Sequence, residues 1–319
     1  MSKKSIRIAC LGVPSDYRAS LVPLAIKHLG YQIDWVAPHR ADLVVYGSFY
    51  DVNAPRLRWL PKPWRQGATA AVNAIEKRLA KRKIPPLTLF HTGENLRHDH
   101  IKTDYSISHD LNIQSDKHLR LPYWMEMIDW SHEGLMGNIN PRYGQLLNLE
   151  RLQSPLGNQF LTREQKCILL SSHLREPRAS ALSALQKLMP VDGFGPYFDK
   201  KIKDHHSSNF LKKDILARYA YNLCPENGLY PGYVTEKIPE AFTAGCLPIT
   251  YVDRAVNVDF NPRAFINLAP MAESGYDGLA EILQSKSRLE AHAEEPLITQ
   301  RPSIEQLRSF LQKIISNSF

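Results

Sequence analysis

Short apolar runs recur along this chain, and most are followed by a polar loop and then by a segment with helical spacing. Runs of this kind are typical of the buried strands of a parallel sheet. Their alternation with helical segments predicts two Rossmann-like parallel-sheet domains of α/β class facing a cleft. The predicted strands are 6–13, 31–36, 41–47, 87–90, 105–108, 119–122, 166–171, 191–195, Leu223 with its neighbours, 246–251 and 265–268.

The helical segments lie between these strands. In residues 20–29, Leu21, Leu24 and Leu29 fall on one face, and Gly30 follows at the place where a helix commonly ends. The same spacing predicts further helices at about 69–82, 178–188, 212–219, 279–289 and 304–315.

Residues 130–160 are rich in glycine, asparagine and proline and lack clean periodicity, so we place the domain boundary there. The predicted domains are residues 1–150 and 151–300. Residues 301–319 form an amphipathic helix, which we expect to pack at the seam between the domains.

Composition narrows the class of protein. The 319 residues are 43% hydrophobic and 23% charged, which is typical of a chain folded throughout. The net charge of +8 is compatible with nucleic acid, an anionic membrane or a polyanionic small substrate. No recognition-helix or aromatic-platform motif is present, so we expect no nucleic-acid partner. A basic cluster, open to interpretation as a solvated helix face or a membrane contact, comprises Lys77, Arg78, Lys81, Arg82 and Lys83.

Other site classes lack their signatures in the sequence. We find no Walker loop, no Gly-x-Ser-x-Gly elbow and no Asp-x-Asp pair. The four cysteines are far apart and without metal-ligand spacing, so we expect buried free thiols and no metal. There is no signal peptide and no apolar run near the roughly 20 residues of a membrane span, so a protein facing the cytosol is expected.

Residues 232–238, Gly-Tyr-Val-Thr-Glu-Lys-Ile, follow a predicted strand and open a predicted helix. Thr235 is the predicted cap of that helix, and Gly245 fits its end. Free N–H groups at such a strand-to-helix junction favour phosphate, whereas a solvated loop with the same residues would bind nothing. The polar residues placed there are Glu226, Asn227, Tyr233, Glu236 and Lys237.

A second polar loop follows the strand at 87–90. It reads His-Thr-Gly-Glu-Asn, and it places the carboxylate of Glu94 at the carboxyl end of a strand in the first domain. In open parallel sheets ligands bind at that edge, so Glu94 lies on the side of the sheet where an active site is expected.

Together these stretches resemble the α-1,3/4-fucosyltransferase family. The matches are colinear and extend from about residue 40 to about residue 270, which makes them specific as a set. They comprise residues 41–48, 92–95, 119–122, 222–227, 232–238, 248–249 and 259–267.

The resemblance implies an inverting glycosyltransferase of the GT-B type that uses GDP-L-fucose as donor. It implies an acceptor site in the first domain and a nucleotide-sugar site in the second. The acceptor would be a glycan hydroxyl, such as one of a cell-surface polysaccharide or lipopolysaccharide O-antigen. No metal or other cofactor is expected, because positive side chains would neutralise the departing diphosphate.

The resemblance also implies roles for single residues. Glu94 matches the base that takes the proton of the acceptor hydroxyl, and Arg178 and Lys237 match the cations that bind the diphosphate. Arg120 matches either a donor contact or an ion-pair residue at a domain interface, and Asn95 is a further candidate. Residues that would hold the ribose, base or sugar are Glu226, Asn227, Tyr233 and Glu236.

The sequence departs from the family pattern at Pro225, Gly228 and Pro231, while the spacing from Asn227 to Lys237 is kept. Two of these changes remove aromatic residues near the donor, so another GDP-linked 6-deoxy sugar stays open. A non-catalytic nucleotide-sugar-binding protein is the alternative from another class. We expect a short bacterial cytoplasmic form, with peripheral contact with the inner membrane left open.

Overall fold

The structure is a computed structural model and describes residues 4–50, 85–199 and 211–317. The chain folds into two compact units, each with its own parallel sheet. The first comprises Met1–Leu121, Trp130–Asn138 and Ser303–Phe319, and the second comprises Pro122–Asp129 and Ile139–Pro302.

The sheet of the first unit has six strands, all paired in parallel, in the order β2-β1-β3-β4-β5-β6. Every residue of β3 is buried, as expected of a strand covered on both faces. All six predicted strands of this half are confirmed. They are β1 Lys4–Leu11, β2 Tyr31–Trp35, β3 Leu43–Gly47, β4 Leu87–His91, β5 Tyr105–Ser108 and β6 His118–Arg120.

The sheet of the second unit has five parallel strands in the order β11-β10-β9-β7-β8. Its central strand β9 is wholly buried, and its ends carry the loops that matter below. The predicted strands are again confirmed as β7 Cys167–Leu170, β8 Val191–Phe194, β9 Tyr221–Leu223, β10 Leu247–Thr250 and β11 Ile266–Asn267.

Ten α-helices are assigned within the described ranges. The predicted helix at 279–289 is two helices, because the backbone of Ser285 is extended and its hydroxyl caps the second one. The predicted basic helix at 69–82, with its cluster of Lys and Arg, lies outside the described residues. The helices are α1 Leu21–His28, α2 Tyr123–Glu126, α3 Leu149–Gln153, α4 Gln159–Thr162, α5 Arg178–Gln186, α6 Lys212–Leu216, α7 Lys237–Thr243, α8 Leu279–Gln284, α9 Lys286–Ala293 and α10 Glu305–Ser316.

The boundaries between the two units differ from the boundary predicted at residues 150 and 151. Residues 122–129 belong to the second unit, well before residue 151. The reason is local packing: the Trp124 ring lies 5.1 Å from the Phe260 ring, and its Nε1–H donates to Asp259 at 3.2 Å. The first segment of the second unit, 122–129, therefore belongs there through Trp124, a residue that sequence periodicity does not assign to either unit.

The carboxyl-terminal helix α10 belongs to the first unit. Its apolar face is buried, and Phe310 packs edge-on against Tyr105 of β5 with ring centroids 5.9 Å apart. It also packs against α1. The segment predicted for the seam is thus a structural part of the first unit, since both of its main contacts lie there.

A buried ion pair ties three segments of the second unit together. Glu240 of α7 is fully buried, and its carboxylate accepts from the ammonium of Lys212 in α6 and from Asn140 Nδ2 at 2.9 Å. Burial alone would lower the pKa of Lys212, but the carboxylates of Glu240 and Glu236 outweigh it and raise that pKa. Lys212 is therefore charged across the physiological range.

Removing one partner of a buried ion pair leaves an uncompensated charge, which costs about 3–5 kcal/mol. We therefore expect Lys212→Met to lower the free energy of unfolding by about that amount, measured as a lower midpoint of thermal unfolding. The neighbouring Lys213, which contacts only Gln145 at 3.1 Å among the described side chains, supplies the control. Lys213→Met should change stability by about 0.5 kcal/mol or less, and equal losses would contradict the structural role of the pair.

Candidate functional site

Two loops of the second unit meet at the carboxyl edge of its sheet. One follows β7 and leads to Arg178, the first residue of α5. The other follows β9 and leads to Lys237, the first residue of α7. Because β7 and β9 are paired in parallel, both loops emerge side by side at the edge where open α/β sheets bind ligands.

Glu226 organises the loop after β9. Its side chain is fully buried, and Oε1 accepts from the backbone N–H of Thr235 and from its hydroxyl, each at 2.8 Å. Oε2 accepts from Thr235 Oγ1 at 3.0 Å and from Lys237 Nζ at 2.9 Å. Its own N–H donates to the carbonyl of Tyr251 at 3.1 Å. Glu226 thus holds the loop rather than presenting a carboxylate to a ligand.

Lys237 is the cation of this loop. Its Nζ lies 2.9 Å from Glu226 and 2.7 Å from Thr235 Oγ1, and 19% of its side chain is exposed. Burial lowers the pKa of Lys237, but the charges of Glu226 and Glu236 raise it well above its ordinary value. The ammonium has three donors, and the described acceptors use two, so one can reach a ligand oxygen.

Arg178 is the second cation, and it is also buried. Its Nη2 donates to Asn227 Oδ1 at 2.6 Å, and its Nη1 lies 2.6 Å from Nε2 of His173. Burial, and then the charges of Arg178 and Arg175, lower the pKa of His173, which keeps its ring neutral. A neutral imidazole can accept from a guanidinium, so His173 helps to orient Arg178.

Tyr233 and Glu236 complete the group. Tyr233 is 2% exposed, so its ring is part of the wall of the loop rather than a freely accessible surface. Glu236 precedes α7 and is only half-buried. Burial raises the pKa of Glu236, but the charges of Lys237, Lys212 and Arg142 outweigh that effect and lower it, so its carboxylate is ionised.

The predicted cap of the helix is wrong. Helix α7 begins at Lys237 with Glu236 before it, and no side chain caps its first turn. The Thr235 hydroxyl instead donates to the buried carboxylate of Glu226, and its oxygen accepts from Lys237 Nζ at 2.7 Å, so it does not accept from a backbone N–H of the helix. The predicted end of the helix at Gly245 is confirmed, with φ at +79°.

The site therefore combines two cations with one accessible carboxylate. Arg178 and Lys237 follow neighbouring strands, and each is oriented by hydrogen bonds to polar side chains of the second unit. A guanidinium can grip two phosphate oxygens, while an ammonium acts as a point charge. Asn227 is exposed and adds hydrogen-bonding groups beside Arg178. Such a set can bind and stabilise a diphosphate.

Glu94 lies in the first unit, directly beyond β4. It is exposed, and no residue within the described ranges donates a hydrogen bond to its carboxylate. Its backbone, by contrast, is held, since its N–H donates to Thr92 Oγ1 at 3.1 Å and its carbonyl accepts from Leu96 N–H at 2.6 Å. An exposed carboxylate on a held loop can accept a proton from a bound hydroxyl.

The other two candidates of the first unit have contacts within that unit. Asn95 Oδ1 accepts from the guanidinium of Arg97. Arg120 ends β6, and its Nε donates to the carbonyl of His109 at 3.3 Å. The structure thus groups six predicted site residues in the second unit, Arg178, Glu226, Asn227, Tyr233, Glu236 and Lys237, and three in the first, Glu94, Asn95 and Arg120.

Sequence reasoning missed the residues that support these groups. His173 could have been noticed as a polar side chain in the loop after β7, close before Arg178. Glu240 follows Glu236 by one helical turn, which places the two carboxylates on one face of α7. Asp110, which is 2% exposed just beyond β5, gave no signal because a single aspartate after a strand is common.

Within the described ranges, no helix is long and apolar enough to cross a membrane. No group of three or more His, Cys, Asp and Glu side chains within those ranges is arranged to hold a metal ion.

The part of the chain that holds this site is similar to a known family. Residues 161–291, which include all six site residues of the second unit, match the model of glycosyltransferase family 10 (fucosyltransferase), C-terminal part. An α-(1,3)-fucosyltransferase of Helicobacter pylori, FucT, is 27% identical over 197 residues, which are 56% of this chain and 40% of that protein. The aligned part is thus less than two thirds of that relative's length.

The fold has solved counterparts. A crystal structure of an α1,3-fucosyltransferase covers 100% of this chain and 92% of its own, with a TM-score of 0.67 and 21% identity. Another, described as that enzyme type with GDP-fucose, covers 100% and 93%, with a TM-score of 0.65 and 20% identity. Residues 161–291 are therefore similar to the carboxyl-terminal part of glycosyltransferase family 10, the fucosyltransferases, and the resemblance recognised in the motifs of the chain is confirmed.

Proposed function

We propose that this chain transfers L-fucose from GDP-L-fucose to a hydroxyl of a glycan acceptor, with inversion at the anomeric carbon. The observation that carries the proposal is the pair of cations at adjacent strand ends, Arg178 and Lys237, each held by polar partners in the family 10 domain. The relatives named above are fucosyltransferases, and one is solved with GDP-fucose, which supports the donor.

In the proposed reaction the acceptor oxygen attacks the anomeric carbon and the bond to GDP breaks. Negative charge develops on the departing diphosphate, where Arg178 and Lys237 would stabilise it. Glu94 would take the proton of the attacking hydroxyl. Asn227, Tyr233 and Glu236 would contact the nucleotide or sugar, whereas Glu226 would act through Lys237 because its own oxygens are engaged.

The acceptor we propose is a cell-surface polysaccharide or lipopolysaccharide O-antigen, modified at the cytoplasmic face of the inner membrane. A thermal-shift screen of GDP-sugars, followed by transfer assays on lactosamine-type and O-antigen acceptors, tests donor and acceptor. Stabilisation by a different GDP-linked 6-deoxy sugar, without any by GDP-fucose, would replace the proposed donor. Binding with no transfer to any acceptor would favour a non-catalytic nucleotide-sugar-binding protein.

The first prediction concerns the base. Glu94→Gln keeps the shape of the side chain but removes its basicity, so we expect transfer to fall by about 100-fold or more. GDP affinity, measured by calorimetry, should stay unchanged, because no diphosphate contact is removed. Full activity of the variant, or an equal loss of GDP affinity, would exclude Glu94 as the base.

The second prediction concerns the cations. Arg178→Ala and Lys237→Met should each weaken GDP binding by about 1–3 kcal/mol, the scale of charge-assisted hydrogen bonds. Lys237→Met removes the cationic partner of the buried Glu226 carboxylate. If this single variant unfolds, GDP affinity is measured instead on the double variant Lys237→Met/Glu226→Gln. Lys286→Ala, at a side chain that is 86% exposed on α9, is the matched control and should bind GDP normally. Unaltered GDP affinity in the site variants would exclude both cations.

The third prediction concerns metal. We propose that the two cations stabilise the diphosphate without a divalent ion. Transfer should therefore persist at an undiminished rate in excess EDTA. Loss of activity in EDTA that manganese or magnesium restores would contradict this proposal and leave the donor assignment intact.

A further inference from the structure

The loop that carries Glu94 is fixed where it leaves β4. The N–H of Thr92 donates to the carbonyl of Ile107 in β5 at 3.1 Å, and its hydroxyl lies 2.7 Å from Ser48 Oγ. The same hydroxyl accepts from the N–H of Glu94 at 3.1 Å. The first half of the loop is therefore tied to the sheet within two residues of Glu94.

The second half of the loop is fixed by one buried carboxylate, that of Asp110. Its Oδ2 accepts from the backbone N–H of His98 at 2.7 Å and from the hydroxyl of Ser108 at 2.7 Å. Its Oδ1 lies 3.4 Å from Nη1 of Arg97, whose Nη2 donates to Oδ1 of Asn95. Asp110 is thus connected to the residue next to Glu94 and to the backbone four residues beyond it.

Stability alone gives a weak reason for a carboxylate in this place. A buried carboxylate is costly unless its oxygens are satisfied, and buried ion pairs often contribute little net stability. Burial raises the pKa of Asp110. The hydrogen bonds from Ser108 and His98 lower this pKa by more than burial raises it, so the group is ionised. A buried, ionised carboxylate that is bonded to a loop can hold the backbone of that loop in one position.

The carboxylate of Glu94 is the group whose position depends on this loop. No donor within the described ranges holds its carboxylate, so the position of that group depends on the backbone of the loop. A general base must lie within about 2.6–3.2 Å of the proton it takes. A displacement of about 1 Å can cost on the order of 100-fold in rate.

We propose that Asp110 is a positioning residue for Glu94. It acts through the Arg97 guanidinium on Asn95 and through the His98 backbone, and so fixes the half of the loop that follows Glu94, whereas Thr92 fixes the half that precedes it. The proposal rests on the proposed role of Glu94 as the base. It adds a group outside the substrate site on which the rate of transfer depends.

The test is Asp110→Asn, which keeps the size of the side chain and removes its charge. The expected result is a fall in kcat of about 10–100-fold, while GDP affinity and the KM for the donor stay within about twofold. A purely structural residue would instead change stability and binding together, so the melting temperature and GDP affinity are measured on the same sample. The proposal would be overturned if kcat stayed unchanged. It would also be overturned if kcat, GDP affinity and melting temperature all fell together.

A matched control is Asp104→Asn. Asp104 is exposed, precedes β5 at the opposite edge of the sheet, and accepts from the N–H and hydroxyl of Thr88 at 2.9 and 2.8 Å. It has a similar bonding pattern but no connection to the Glu94 loop, so its loss should leave kcat unchanged. An equal fall in kcat would show that any bonded aspartate of this sheet matters, and would contradict the proposal.

Arg97→Gln provides an independent variant, because it breaks the connection to Asn95 and leaves the bonds from Ser108 and His98 in place. It should lower kcat in the same way, and it serves alone if Asp110→Asn fails to fold. The double variant should lose no more than the worse single one, since both act in one chain of contacts. If the two fold-losses in kcat multiplied in the double variant, Asp110 and Arg97 would act independently, which would contradict the proposed connection between them.

These outcomes separate the two proposals. Full activity of Glu94→Gln would remove the base and with it the reason for Asp110. An inactive Glu94→Gln beside a fully active Asp110→Asn would leave the proposed function standing and remove only the positioning role.

Discussion

The second unit depends on one buried carboxylate, that of Glu226. Its two oxygens accept four hydrogen bonds from Thr235 and Lys237, and its own N–H reaches the loop after β10. A buried carboxylate without such partners would be costly to desolvate. The bonds of Glu226 fix the ammonium of Lys237 at the strand end, so placing this cation against an anion requires little reorganisation.

Sequence periodicity predicted all the strands described here, since buried parallel strands are short continuous apolar runs and polar loops follow most of them in this chain. The strand-to-helix pattern also placed five polar residues of the second unit at one sheet edge, the resemblance added Arg178, and the structure has all six at that edge. The role of Thr235 was not predictable from local rules, because its partner Glu226 lies nine residues earlier. The limits of the two units were not predicted for the same reason. Trp124 belongs to the second unit because it contacts Phe260, which lies far away in the sequence.

The candidate groups differ in how they are held. The cations Arg178 and Lys237 are bonded to neutral or anionic partners, so their charges are fixed in place. The carboxylate of Glu94 is exposed, while its backbone N–H and carbonyl are both hydrogen-bonded. A group that binds charge benefits from rigid orientation of its side chain, whereas a group that takes a proton must stay open to its substrate. The contrast is consistent with the roles proposed for each.

The assignment of α10 to the first unit has a practical consequence for dissecting the chain. The first unit is discontinuous, since its sheet comes from the beginning of the sequence and α10 from its end. A fragment cut near residue 150 would lack Phe310 and its neighbours, and would expose the apolar surfaces of α1 and β5 that α10 covers. Expressing either unit alone therefore requires rejoining distant segments, for example by circular permutation, rather than shortening the gene from one side.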